Sequence, residues 1–125
     1  MIYLEHANIT VENPDKTAQT MIDLFDWTVR WNGASMNDGY TVHVGNKECY
    51  IALYTNEELG SKCGGGSHAG HLNHIGMVVE DLDSIINRAK KLGLEPFNFG
   101  EYEPGKRFYL ILEEAIEIEI VSYKQ

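Results

Sequence analysis

Positive charge is scarce in this chain of 125 residues. Ten Lys and Arg stand against 19 Asp and Glu, a formal net charge of −9. Such a surface repels phosphate backbones and anionic lipid headgroups, which argues against nucleic acid or a membrane as partner. Long apolar runs are missing too, and none approaches the ~18–20 residues that cross a bilayer. Met1-Ile2-Tyr3-Leu4-Glu5-His6 lacks the basic start and extended apolar stretch of a secretory signal. With only two cysteines and no such signal, reduced thiols in a cytoplasmic protein are expected, not a disulfide scaffold. The length allows one domain with a real core, and not two of ordinary size.

What the chain does have is a repeat. Residues 6–15 lie without a gap over residues 74–83, with His6 on His74, Val11 on Val79, Glu12 on Glu80 and Asp15 on Asp83. The same order of elements follows each copy. Residues 2–11 alternate as a half-buried strand, with Ala7, Ile9 and Val11 on one face and His6, Asn8 and Thr10 on the other. Asn13-Pro14-Asp15 reads as a capped helix start, and Ala18, Met21, Ile22 and Phe25 form an apolar stripe behind it. Strands are expected near 27–31, 39–44 and 49–54. The second copy gives a strand at 72–79, a helix over 83–92 closed by Gly93, and strands near 95–99, 107–112 and 116–123. The fold class is therefore α+β, built from two βαβββ modules at about 1–56 and 71–125. The glycine-rich stretch at about 57–70 serves as a hinge. Neither module is long enough for a good core alone, so a shared sheet system is expected.

Period-two alternation also sorts the functional candidates. In Ile116-Glu117-Ile118-Glu119-Ile120 the isoleucines take the helix-facing side, leaving Glu117 and Glu119 together on the other. Two such carboxylates are either solvated at an edge or bound to something positive. His6 and His74 occupy equivalent positions, also facing away from the helices. Two imidazoles and one carboxylate with open positions suit Fe(II) and accept Mn, Ni, Co or Zn.

These residues resemble the vicinal oxygen chelate superfamily, which includes glyoxalase I, extradiol dioxygenases, fosfomycin-resistance transferases and metal-free bleomycin-binding proteins. The likeness spans nearly the whole chain. It is carried by Leu72-Asn73-His74-Ile75-Gly76 with Val79-Glu80-Asp81-Leu82-Asp83, by Lys91-Leu92-Gly93, and by Phe108-Tyr109 leading to Ile118-Glu119-Ile120-Val121. The resemblance implies cupped sheets around a cavity. It implies one divalent metal ion held by His6, His74 and Glu119, with Glu119 and Glu117 as catalytic carboxylates, and a homodimer as the assembly. The fourth ligand of glyoxalase I falls on Ala52, which matches Glu119 in the repeat and cannot bind metal. Glyoxalase I activity itself is therefore not expected. Asn8 replaces the threonine of the fosfomycin transferases, and Glu113-Glu114-Ala115 stands where the family often has Asp-Pro-Asp-Gly.

By the same parity, Asn8, Thr10, Tyr50, Ala52, Tyr54, Glu117, Val121 and Tyr123 point inward, with Trp31 and Phe108 as further lining residues. Their rings either line a small-molecule pocket or fill the interior. Cys49 is expected against the helices, and His43 has no matched partner. Lys106-Arg107 offers a local basic pair. Cys63, His68 and His71 have zinc-like residue types at a spacing that matches no standard structural site. Two functions follow. One is a metal-dependent lyase, dioxygenase or transferase acting on a small molecule with vicinal oxygens. The alternative is a metal-free binder of a drug or metabolite.

Overall fold

The computed structural model describes residues 1–57, 69–102 and 105–124, and gives no side-chain account of residue 102. Cys63, His68 and most of the expected hinge lie outside the described residues. The chain divides into two compact units, Met1–Ser61 and Lys62–Gln125.

The first unit contains β1 (His6–Thr10), α1 (Pro14–Phe25), β2 (Thr28–Ser35), β3 (Gly39–Gly45) and β4 (Tyr50–Thr55). Asn13 caps α1 by accepting from the Lys16 amide at 3.2 Å, and Pro14 occupies the first turn, where its missing N–H costs nothing. Thr17, Ala18, Met21 and Leu24 form the buried stripe. Asp26 ends the helix in the left-handed region at φ 58°. The strand order is β1-β4-β3-β2, with β1 parallel to β4 and the other pairs antiparallel. Register puts Ala7, Ile9, Ile51, Leu53, Val42 and Val44 on one face, against α1.

The second unit repeats this plan with β5 (Ile75–Val78), α2 (Leu82–Lys91), β6 (Phe97–Tyr102), β7 (Gly105–Ile111) and β8 (Glu117–Ser122). Asp81 caps α2 through the Ser84 amide, at the repeat position of Asn13. Arg88, Lys90 and Lys91 crowd the last turn, where the helix dipole favours cations. Gly93 follows at φ +80°, which only glycine adopts without strain. The order is β5-β8-β7-β6, again with the first and last strands parallel. Ile118, Ile120, Phe108 and Leu110 form the buried face, with α2 packed on β8.

Each module thus owns a four-stranded mixed sheet and a helix, as expected of two βαβββ modules. The strand limits move. β1 starts at His6 and β5 after His74, so both histidines sit at a strand's entrance. A bulge between Val29 and Trp31 interrupts the β2–β3 register. The turn at Glu113–Ala115 forms without the family's residues, holding Glu114 and Ala115 at φ 62° and 58°. Among the described residues, no helix is long and apolar enough to cross a membrane.

Leu53 and Phe108 are fully buried, one in each module. Truncation to alanine removes apolar contacts and leaves a cavity. Leu53→Ala is expected to cost about 2–5 kcal/mol and Phe108→Ala about 3–5 kcal/mol in denaturant unfolding. Losses under about 1 kcal/mol would show that these positions are not the cores.

Candidate metal centre and aromatic face

In the first module, register places His6 beside Tyr50, Asn8 beside Ala52 and Thr10 beside Tyr54, with His43 across from Ala52 and Trp31 across from His43. These side chains share the face turned away from α1. The rings stack. His6 lies over Tyr50 at 4.8 Å with planes 13° apart, His43 lies 4.5 Å from the same ring, and Trp31 leans on His43 at 5.0 Å. Arg30, displaced by the bulge, sets its guanidinium 4.4 Å from the Tyr50 ring, a cation–π contact. Ala52 is almost fully buried, and its small side chain leaves His43 room to turn toward Tyr50.

Glu5 fixes the orientation of His6. Its Oε1 accepts from His6 Nδ1 at 2.7 Å and from the Tyr50 hydroxyl at 3.3 Å. The bond from His6 is the chief reason the Glu5 carboxyl titrates below its ordinary range, and burial pushes the Tyr50 hydroxyl up. Because an ionised carboxylate only accepts, Nδ1 carries the proton and Nε2 is left for another partner.

The second module repeats the device. Asn73 precedes His74 as Glu5 precedes His6, and its Oδ1 accepts from His74 Nδ1 at 2.8 Å. His74 Nε2 then lies 3.1 Å from Glu119 Oε1. A neutral imidazole held in that tautomer turns a lone pair toward a carboxylate, and two acceptors do not bind each other. In the other tautomer Nε2–H donates directly to Oε1; in this one a cation stands between them, either a second proton on the ring or a metal ion. Two donors bonded at ~2.1 Å to one metal and 90° apart are separated by about 3.0 Å. The residues therefore fit a divalent ion. A side-chain carboxylate or carbonyl oxygen behind each imidazole is the usual second tier of such a site.

Glu119 has a further partner. Arg107 Nη1 donates to Glu119 Oε2 at 2.8 Å, with the two side chains only 12% and 14% exposed. Tyr109 is the direct cross-strand neighbour of Glu119 on β7, and Gly76 is its neighbour on β5. A Cβ on Gly76 would meet nothing within 4 Å, so there is open space beside β5 at that position. His74 meets the Tyr109 ring edge-on at 5.7 Å. Glu117 shares this face, half-buried beside Ile111. Among the described residues, no three His, Cys, Asp or Glu side chains form a cluster fit to hold a metal on their own.

Several sequence expectations need correction. Phe108 does not line this face; it pairs with Ile120 on the buried side and is fully enclosed, leaving Tyr109 in its place. Tyr123 lies just past β8 and is exposed. Lys106 and Arg107 do not act as a pair, because adjacent strand residues point to opposite faces; Lys106 is exposed and lies 3.8 Å from Glu101. Cys49 is exposed before β4 begins and borders a surface groove of about 610 Å³ with Tyr3, Glu5, Arg30 and Lys47. His43 does have neighbours of consequence. Parity counted from Ala52 would have placed it on this face, had the register of the β3–β4 hairpin been known.

Burial, with the positive charge of His6 and Arg30 adding to it, holds the His43 ring below its ordinary value of 6.5. The unfolded chain then takes up the proton first, so stability falls as pH drops through about 6.5. Ring-proton NMR should place the His43 midpoint below 6.5, and His43→Gln should flatten that part of the stability curve. A midpoint at or above 6.5 would contradict this account of its surroundings.

Comparison with known proteins agrees with this architecture. None of the curated proteins matches the sequence. A glyoxylase/bleomycin resistance protein/dioxygenase domain from Frankia sp. EAN1pec superimposes with a TM-score of 0.83 at 19% identity, over 98% of this chain and 92% of that one. The fosfomycin resistance protein FosX of Listeria monocytogenes, solved as a variant with Mn(II) and 1S,2S-dihydroxypropylphosphonic acid, gives 0.73 at 18% identity over 100% and 93%. FosX from Mesorhizobium loti gives 0.71 at 19% over 97% and 92%. At such identities the likeness speaks for the fold alone. The sequence itself goes further, because residues 5–110 match the family model described as the glyoxalase/bleomycin resistance protein/dioxygenase superfamily. With repeat, topology and family model in agreement, the chain belongs to that superfamily.

Proposed function

We propose that this protein is a small-molecule metalloenzyme in which His6, His74 and Glu119 hold one divalent ion. The observation that carries the reading is the facing pair of His74 Nε2 and Glu119 Oε1 at 3.1 Å, with Nδ1 tied back to Asn73. The matched tie from Glu5 to His6 supports the same role for the first module's imidazole. The bound ion would act as a Lewis acid toward two vicinal oxygens of the substrate. Glu119 Oε2 is taken by Arg107, so the proton-accepting role passes to Glu117, two residues along the same face. In the second module, Tyr109 and Phe97 supply an apolar wall beside Glu119. With Ala52 at the fourth-ligand position, the reaction differs from that of glyoxalase I. The Mn(II) and vicinal diol bound to the Listeria FosX variant favour manganese and an oxygen-rich substrate here. A homodimer is the proposed working form.

The second reading is a metal-free binder of a planar ligand. It is favoured by Arg107, which neutralises Glu119 without a metal, and by the stacked rings of the first module, where Trp31 is 47% exposed.

Metal analysis of protein purified without chelator separates the two. The enzyme reading expects about one divalent ion per set of three ligands, loss of it in His74→Ala, and an affinity about 10–100-fold weaker in Asn73→Ala. Full occupancy in His74→Ala sinks the assignment. Thermal stabilisation by aromatic ligands with no response to Mn²⁺, Fe²⁺, Ni²⁺, Co²⁺ or Zn²⁺ favours the binder.

A further inference from the structure

We propose that Arg107 is a built-in competitor for the cation at Glu119, a positioning residue that holds the carboxylate in place before metal arrives and weakens metal binding when it does. This rests on the metal reading above. Glu119 divides its two oxygens, Oε1 facing His74 and Oε2 accepting from Arg107 at 2.8 Å. Both members of the ion pair are nearly enclosed, so solvent screens them little. The Arg107 guanidinium also reaches the Gly105 carbonyl at 3.3 Å, which anchors it to β7.

The repeat supplies an internal control. β3 and β7 correspond, since His43 faces Ala52 just as Tyr109 faces Glu119. On that correspondence Thr41 is the counterpart of Arg107, and Ala52 of Glu119. Thr41 is 4% exposed, and its hydroxyl has no hydrogen-bond partner among the described residues. The first module thus lacks both the carboxylate and the guanidinium, and the second has both. The two charges behave as one unit, because a buried carboxylate without a counter-charge is costly.

A divalent ion on Oε1 would meet a fixed positive charge across the same carboxylate. Removing that charge leaves Glu119 in want of a cation and removes the repulsion. It also gives up one hydrogen bond that orients the carboxylate. His74, Tyr109 and the sheet still confine Glu119, so the repulsion is the larger effect.

The test is calorimetric titration of MnCl₂ into wild type, Arg107→Gln, Arg107→Met and Arg107→Lys. Expected are an Mn²⁺ Kd at least about tenfold tighter in whichever charge-removing variants fold, and a Kd within a few-fold of wild type in Arg107→Lys. The metal-free Gln and Met proteins should melt lower than wild type, and Mn²⁺ should raise their Tm more than it raises the wild-type Tm. A folded Gln or Met variant that binds Mn²⁺ no more tightly than wild type overturns the competitor role and leaves the metal site standing. Binding to none of the four proteins overturns both. Binding to the charge-removing variants alone supports the competitor in its strongest form.

Discussion

The parallel pairing of the first and last strands within each module decides which side chains can meet. It sets His6 beside Tyr50 in one sheet and brings Glu119 level with Gly76, two residues past His74, in the other. Because side chains alternate along both strands, one register choice fixes two faces at once. The isoleucine and valine row is committed to the helix. Whatever stands between those residues is committed to the opposite face. A slip of one residue would bury Glu117 and Glu119 under α2, and the apolar rows of Ile118, Ile120, Phe108 and Leu110 forbid it.

Charge then governs that face. Glu119 is nearly enclosed, and enclosure is costly for a lone carboxylate. The fold answers with an imidazole on one oxygen and a guanidinium on the other. At the matching position the first module places no carboxylate, using Ala52, the His43 ring and the aromatic stack. The two halves of the repeat have diverged into a charged face and an aromatic one. Their shared feature is the side-chain tie behind each histidine, from Glu5 and from Asn73.

Much of the fold was legible because the signals are local. The caps at Asn13 and Asp81, the apolar stripe of α1 and the alternation of 116–120 each need only a few neighbouring residues to be read. The common face of Glu117 and Glu119 follows from the same arithmetic. What parity could not supply was the register across hairpins. Phe108 falls on the buried face beside Ile120 through that register, and Arg107 turns away from Lys106 to the opposite face. The Val29/Trp31 bulge and the left-handed turn at Glu114 and Ala115 each reset the count.

The sequence by itself determined the two modules, their capped helices, and the face on which each histidine and carboxylate stands. These follow from periods of 2 and 3.6 residues, which are properties of the backbone. The tertiary structure alone decided the partners: Arg107 on Glu119, Asn73 behind His74, and His43 rather than a carboxylate beside Ala52. Partnership depends on register and turn geometry between strands distant in sequence, and no local period encodes it. The scarcity of positive charge acquires a sharper meaning in that light. One of the ten cationic residues is held nearly enclosed against Glu119, at the place proposed for a metal ion.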